Sequence, residues 1–111
     1  MPFIAEWAEN YALEWLKDHL SQFLPEIVSS RRKEIAGMEE KGIPLWPLLP
    51  QELREKALSK AFIYSSTIIA LDPDAVVNII LECLNERELN LNREWVKSNL
   101  LAFREELLSS L

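Results

Sequence analysis

The sequence is poor in the residues that shape turns and build reactive sites. Its 111 residues include two glycines, one cysteine and one histidine. Two glycines cannot form the Gly-rich loops that hold phosphates or dinucleotides, and a meander of strands would need more turns. A lone cysteine forms no intramolecular disulfide and no multi-cysteine zinc site. We therefore expect a helical chain, and a reducing, cytoplasmic location fits it best.

Long apolar runs are also missing. The longest uncharged segment covers residues 61–71, whereas a helix needs roughly 20 apolar residues to cross a bilayer. The first six residues contain no basic stretch and already include a carboxylate, so we expect no secretory or mitochondrial leader. The sequence thus predicts no membrane partner.

Basic residues are also fewer than acidic ones. The chain has 12 basic and 18 acidic residues, which gives a net charge of -6. Proteins that bind nucleic acid gain much of their affinity when Lys and Arg neutralise phosphates. We therefore do not expect this chain to bind nucleic acid on its own. Its acidic exterior favours basic partner surfaces instead.

Apolar residues at helical spacing are what the sequence does provide. Its length suits one domain, and 49% hydrophobic with 27% charged residues is a globular composition. Intervals of three and four predict helices over about 2–24, 26–41, 50–71, 73–86 and 93–109. We predict an all-α fold, a single domain over residues 1–111 that forms a bundle of about five helices. A Pro-rich apolar loop connects two of them.

Individual residues refine these boundaries. Pro25 should kink or end the first helix, because it lacks a backbone donor. The second segment is weakly apolar, so we expect it to be largely exposed and to end near Gly42. Asp72 followed by Pro73 is typical of a helix start, and Asn92 should cap the last helix. The segment 61–71 has no charged face, which predicts the central helix, with a buried strand as the alternative.

The connecting loop contains three prolines at a spacing of three. Pro44, Pro47 and Pro50 prevent a regular helix and favour an extended, polyproline-like path. Aromatic grooves of peptide-recognition domains read such a spacing. Those ligands are usually polar and exposed, whereas this loop is interleaved with Ile, Leu and Trp. We expect it to brace the bundle.

Reactive side chains do not gather into a motif. The only histidine, His19, follows Asp18 and Glu14, without the second histidine or the Glu-x-x-His pairs of helical metal sites. Cys83 is read as a small buried thiol. No nucleophile elbow or phosphate loop occurs. The sequence predicts no enzyme, no cofactor and no metal.

The aromatic residues favour a binding role. Trp7, Tyr11 and Trp15 recur at helical spacing in the first helix, whose apolar arc exceeds half its circumference. Trp46 adds a further aromatic in the loop, and such residues are enriched where partners dock. We predict a non-enzymatic interaction module, of the adaptor, assembly or inhibitor type, that binds another protein or itself, as a homodimer, through these four residues. The alternative is that they form ordinary core.

One basic cluster suggests a second function. Arg31, Arg32 and Lys33 could contact phosphates if the chain were a small subunit of a nucleic-acid-bound complex. Glu34 follows directly, so a solvated helical face is the favoured interpretation.

Overall fold

Six α-helices and one 3-10 turn make up the described part of the chain. The computed structural model describes residues 2–22, 24–62 and 71–110, and the side chains at 10–18, 20–22, 24–59 and 71–110. In chain order the elements are α1 (Pro2–Ser21), α2 (Leu24–Ser30), α3 (Arg32–Lys41), the 3-10 turn (Trp46–Leu48), α4 (Gln51–Phe62), α5 (Pro73–Asn85) and α6 (Arg93–Ser110). The predicted all-α class is confirmed, and the described ranges contain no strand.

The core is centred on α5. This helix packs against α1 and α6 and also contacts α2. Val77 and Leu84, seven residues apart on its inner face, are 0% and 1% exposed. Burying a side chain of this kind contributes about 1.5–3 kcal/mol. The other buried residues of this core cluster are Leu16, Val28, Ile35, Leu71, Val76, Leu89, Trp95, Val96 and Leu100. Residues 63–70, which belong to the segment predicted to be central, lie outside the described residues.

The helix boundary near Pro25 differs from the predicted one. The first helix ends at Ser21 rather than Leu24, and a new helix starts at Leu24 with Pro25 in its first turn. A proline there forgoes no intrahelical hydrogen bond, because the first amides of a helix have no acceptor within it. A further turn at Arg31 separates α2 from α3. The predicted second helix is therefore two short ones.

Most residues of this region are exposed, as predicted, and they include Ile27 at 47%. Val28 and Ile35 are buried, and both belong to the central core cluster. They stand seven residues apart, a spacing that places two side chains on the same face of a helix. Both still face the core although a turn at Arg31 interrupts the helix between them.

Gly42 ends α3, as predicted. Its φ of 69° is left-handed, a conformation that costs glycine little. Its amide donates to the Glu39 carbonyl, and the Ile43 amide donates to the Met38 carbonyl. These bonds satisfy carbonyls that would otherwise lack donors at the helix end.

The loop after Gly42 is more compact than predicted. Trp46–Leu48 form a 3-10 turn instead of an extended path. Leu49, which precedes Pro50, has the extended backbone expected before a proline. The Leu48 amide donates to the Leu45 carbonyl and closes the turn.

The starts of the last two helices follow the sequence closely. Asp72 stands at the N-cap of α5 with Pro73 as its first residue, although the Asp72 side chain makes no capping hydrogen bond. Asn92 does cap α6, because its Oδ1 accepts from the Trp95 amide at 3.0 Å. On the inner face of α6, Trp95, Val96, Leu100 and Leu107 are buried.

Candidate functional site

Hydrogen bonds from two tryptophans fasten the Pro-rich loop to α6. The indole Nε1 of Trp95 donates to the Ile43 carbonyl at 2.7 Å, at the start of the loop. The amide of Trp46 donates to Asn99 Oδ1 at 2.9 Å, and its indole Nε1 donates to Glu106 Oε2 at 2.8 Å. These bonds span more than fifty positions of sequence, so they fix the path of the loop over α6.

Glu106 extends this connection to α4. Arg54 Nη1 lies 3.1 Å from Glu106 Oε1 and 3.2 Å from Oε2, while Arg54 Nε donates to the Leu49 carbonyl. Both side chains are less than a third exposed. The Trp46 ring also meets Phe103 edge-on, with centroids 4.9 Å apart. We call Trp46, Arg54, Asn99, Phe103 and Glu106 the loop latch. It shows that the loop braces the bundle.

The outer face of α1 presents a contrasting surface. The Tyr11 side chain is 66% exposed, the largest exposed fraction among the exposed large hydrophobic residues of the described part. Trp15, one turn later, is half-buried and packs against the core. Ala12, Leu13, Leu16 and Leu20 face the core as well. Tyr11 therefore lies on the side of α1 turned away from the bundle.

The four predicted partner-binding residues thus have different surroundings. Tyr11 is largely exposed, Trp15 lies at the edge of the core, and Trp46 belongs to the loop latch. Trp7 lies outside the described side chains. By sequence it stands one helical turn before Tyr11, within the backbone of α1. The structure does not bring Trp46 into a common patch with Tyr11 through any described contact.

Lys17 ties α1 to α5. Its Nζ lies 3.3 Å from Glu86 Oε1 and 3.4 Å from Glu82 Oε2. The bond to Glu86, followed by that to Glu82, raises the pKa of Lys17 above its ordinary value. Next to the ion pairs of Lys17, the buried Cys83 thiol lies 3.3 Å from Ser21 Oγ. These ion pairs add to the apolar packing that holds α1 on α5.

A second charged cluster joins α5 to α6. Asp74 Oδ1 lies 3.0 Å from Lys97 Nζ and 3.7 Å from Arg93 Nη2. The bond to Lys97, with its positive charge, lowers the pKa of Asp74 below its ordinary value. Both charged clusters therefore form ion pairs between neighbouring helices.

The predicted basic cluster is held together by the turn between α2 and α3. Arg31, Arg32 and Lys33 line one open depression together with Ser29 and Ser30. Arg32 and Lys33 are exposed, whereas Arg31 Nη1 lies 3.3 Å from Glu34 Oε2. Glu34 therefore offsets part of the positive charge.

Reactive groups do not converge in the described ranges. Among those residues no three His, Cys, Asp or Glu side chains lie close enough to hold a metal ion. The side chain of His19 is outside them. Glu14 and Asp18, its neighbours in sequence, are exposed. No helix in the described part of the chain has the length and apolar character needed to span a bilayer.

Comparisons with models of known protein families, with curated proteins and with solved structures gave no match. Function must therefore be inferred from the chain's own geometry.

Sequence reasoning missed the polar half of the loop latch. Asn99 and Glu106 are seven residues apart, so they form a polar stripe beside the apolar stripe of α6. A buried tryptophan usually finds an acceptor for its indole N–H. That rule, applied to Trp46, indicates that an acceptor is needed but does not say which helix supplies it.

Proposed function

We propose that this chain is a non-enzymatic helical interaction module that binds through the outer face of α1. A second copy of the chain is the first partner to test, and other proteins with basic surfaces are further partners. The exposure of Tyr11 carries this proposal. An aromatic ring that is 66% exposed on a helix already packed on its other side is typical of a binding surface.

The size of an interface shows how much of α1 must take part. A stable complex buries about 800 Å² on each partner, roughly a tenth of the 7517 Å² of accessible surface. Tyr11 alone cannot supply that area. The proposed interface therefore extends along the helix to the exposed edge of Trp15 and, by helical spacing, to Trp7. We give Trp46 a supporting role through the loop latch.

The net charge of the chain opposes contact between two copies. Each chain carries a net charge of -6, so two copies repel one another at long range. Glu14 and Asp18 are exposed, and helical spacing places both beside Tyr11, so the aromatic contact has to outweigh repulsion between like charges at close range as well. A homodimer formed in this way should tighten as salt screens the repulsion. In the cell we place it in the cytoplasm, where the buried thiol of Cys83 would stay reduced.

Light scattering over a concentration series tests the proposal directly. We expect wild-type chains to self-associate and Tyr11→Glu to stay monomeric, with an unchanged circular dichroism spectrum. Leu108→Glu is the matched control, because Leu108 is 53% exposed on α6 and the substitution adds the same charge. It should associate like wild type. Equal loss of association in both variants would mean that added charge, not the α1 face, is responsible.

The alternative function rests on the basic cluster. The open depression places Arg31, Arg32 and Lys33 side by side, as contacts to neighbouring phosphates would require. In this second proposal the chain is a small subunit of a nucleic-acid-bound complex, and other subunits supply the remaining positive charge. Replacing all three by Ser should then abolish salt-sensitive assembly on nucleic acid. If the interaction-module proposal holds, the triple variant keeps its partner.

A further inference from the structure

Two exposed carboxylates share the outer face of α1 with Tyr11. Glu14 and Asp18 follow Tyr11 at intervals of three and seven residues, which places all three side chains on one side of the helix. Each of the three is exposed, whereas Leu16, on the opposite side of α1, is buried in the core. The outer face therefore combines an aromatic ring with two negative charges.

The one Lys or Arg residue of α1 does not balance these charges. Lys17 is turned toward α5, where its Nζ lies 3.3 Å from Glu86 Oε1 and 3.4 Å from Glu82 Oε2. Within the described part of the chain, neither Glu14 nor Asp18 takes part in an ion pair. Both carboxylates therefore face solvent without an opposite charge from the described residues.

The charge of this face favours a basic partner. The same face of a second copy presents the same two carboxylates, so contact between two copies brings like charges together. A cationic partner instead gains from each carboxylate, and the net charge of -6 attracts it from a distance. Charge complementarity of this kind decides which partners a surface accepts.

The ring beside the carboxylates favours arginine over lysine. Tyr11 and Glu14 are three residues apart, so their Cβ atoms are about 5–6 Å from one another on the helix surface. A guanidinium group is planar, and it stacks on an aromatic ring while its N–H groups donate to a neighbouring carboxylate. The ammonium group of lysine is a compact, strongly hydrated charge that lacks this planar surface. Asp18, one turn beyond Glu14, is an acceptor for a second arginine.

We propose that the outer face of α1 binds a helix of a partner protein that carries two arginines one turn apart. The first arginine stacks on Tyr11 and donates to Glu14, and the second donates to Asp18. A helix laid along α1 has the same rise of about 1.5 Å per residue, so arginines four residues apart match the spacing of the two carboxylates. The proposal rests on the proposed interaction function and names the chemistry of its partner.

A titration with a designed peptide tests this surface in the full chain. The probe is an alanine-rich helical peptide with arginines at positions i and i+4, added to dilute ¹⁵N-labelled protein at low salt. We expect saturable shifts in the amide signals of Tyr11, Glu14 and Asp18, with a Kd on the order of millimolar. The same peptide with two lysines should bind about threefold more weakly. So should an isomer with arginines at i and i+2, which do not share a face of the helix.

Matched double variants connect the shifts to the two carboxylates. Glu14→Gln with Asp18→Asn should weaken binding of the arginine peptide about fivefold. Glu94→Gln with Glu105→Gln removes the same charge from exposed positions on α6 and should leave binding unchanged. Equal weakening by both pairs would overturn the proposal, because the peptide would then respond only to net charge. Equal binding of the arginine and lysine peptides would overturn it as well.

The same variant separates this proposal from self-association. Removing both carboxylates relieves repulsion between two copies, so Glu14→Gln with Asp18→Asn should strengthen self-association in light scattering while it weakens peptide binding. Added salt should likewise tighten self-association and weaken peptide binding. A chain that self-associates but does not bind the arginine peptide overturns the arginine site and leaves the proposed function in place. A chain that stays monomeric and binds the peptide through these carboxylates supports the arginine site and removes the second copy as a partner.

Discussion

Trp46 and Tyr11 are both aromatic residues that the sequence marks for binding, yet they occupy opposite kinds of surroundings. Trp46 donates two hydrogen bonds to α6 and meets Phe103 edge-on. Tyr11 stands largely in solvent on a helix whose other side is packed. A tryptophan stabilises the fold where polar residues of a neighbouring helix accept its N–H groups. Where most of a residue stays exposed, its surface can contribute to an interface.

Removing the Trp46 side chain should have the largest effect on stability. Trp46→Ala deletes the contact with Phe103 and one of the hydrogen bonds that Glu106 accepts, so we expect a loss of about 3 kcal/mol in the free energy of unfolding. Urea denaturation measures it. Tyr11→Ala is the comparison and should change stability by less than about 1 kcal/mol. Equal losses would show that Tyr11 is as structural as Trp46.

Substituting Glu106 should have the next largest effect on stability. Glu106→Ala leaves the Trp46 indole and the Arg54 guanidinium without their acceptor, at a cost of about 2 kcal/mol. The emission of the four tryptophans together should shift to longer wavelength as the Trp46 ring becomes more solvated. Light scattering should still show self-association. A Glu106→Ala variant that is fully stable but monomeric would instead place the loop latch in the interface.

A substitution far from both regions provides a stabilised background. Glu88 has a left-handed backbone, which glycine adopts without strain, so Glu88→Gly should raise the free energy of unfolding by about 1 kcal/mol. Thermal unfolding measures the gain. Combined with Tyr11→Glu it should not restore self-association. Restored association would mean that Tyr11→Glu acts by weakening the fold.

Substitutions in the two charged clusters should have the smallest effects on stability, and these effects should appear at the extremes of pH. The folded pKa of Asp74 lies below its ordinary value, so its stabilising contribution is present above about pH 3.9 and is lost as the pH falls through the folded pKa. Lys17 has the opposite sign. Its contribution is complete below about pH 10.4 and is lost as the pH rises through its raised folded pKa.

Single substitutions separate these two contributions in pH-dependent denaturation. Asp74→Asn should flatten the acidic limb of the stability curve, and Lys17→Met the alkaline limb. Between these limits self-association should hardly depend on pH, because neither group lies on the outer face of α1. A sharp change of oligomeric state near neutral pH would mean that other titrating groups control the interface.

The sequence predicted most of the fold because its signals are local. The Asn92 cap, the stop at Gly42 and the buried stripe of α5 depend on residues within a turn or two. The break at Ser21 and the turn at Arg31 depend on how short helices pack against distant elements. The same limit applies to function. Trp46 and Tyr11 are both aromatic residues in the sequence, and the structure separates them by placing Trp46 against Asn99 and Glu106 of α6 and leaving Tyr11 66% exposed.

Fluorine NMR of Tyr11 is the most direct test of the interaction proposal. In a Tyr64→Phe background, 3-fluorotyrosine reports on Tyr11 alone, since the chain has two tyrosines. A soluble gadolinium chelate broadens the resonance wherever the ring is exposed. We expect this broadening to fall severalfold as the protein concentration rises from micromolar to millimolar, because a second chain covers the ring. Broadening that stays equal at every concentration would contradict self-association through the outer face of α1.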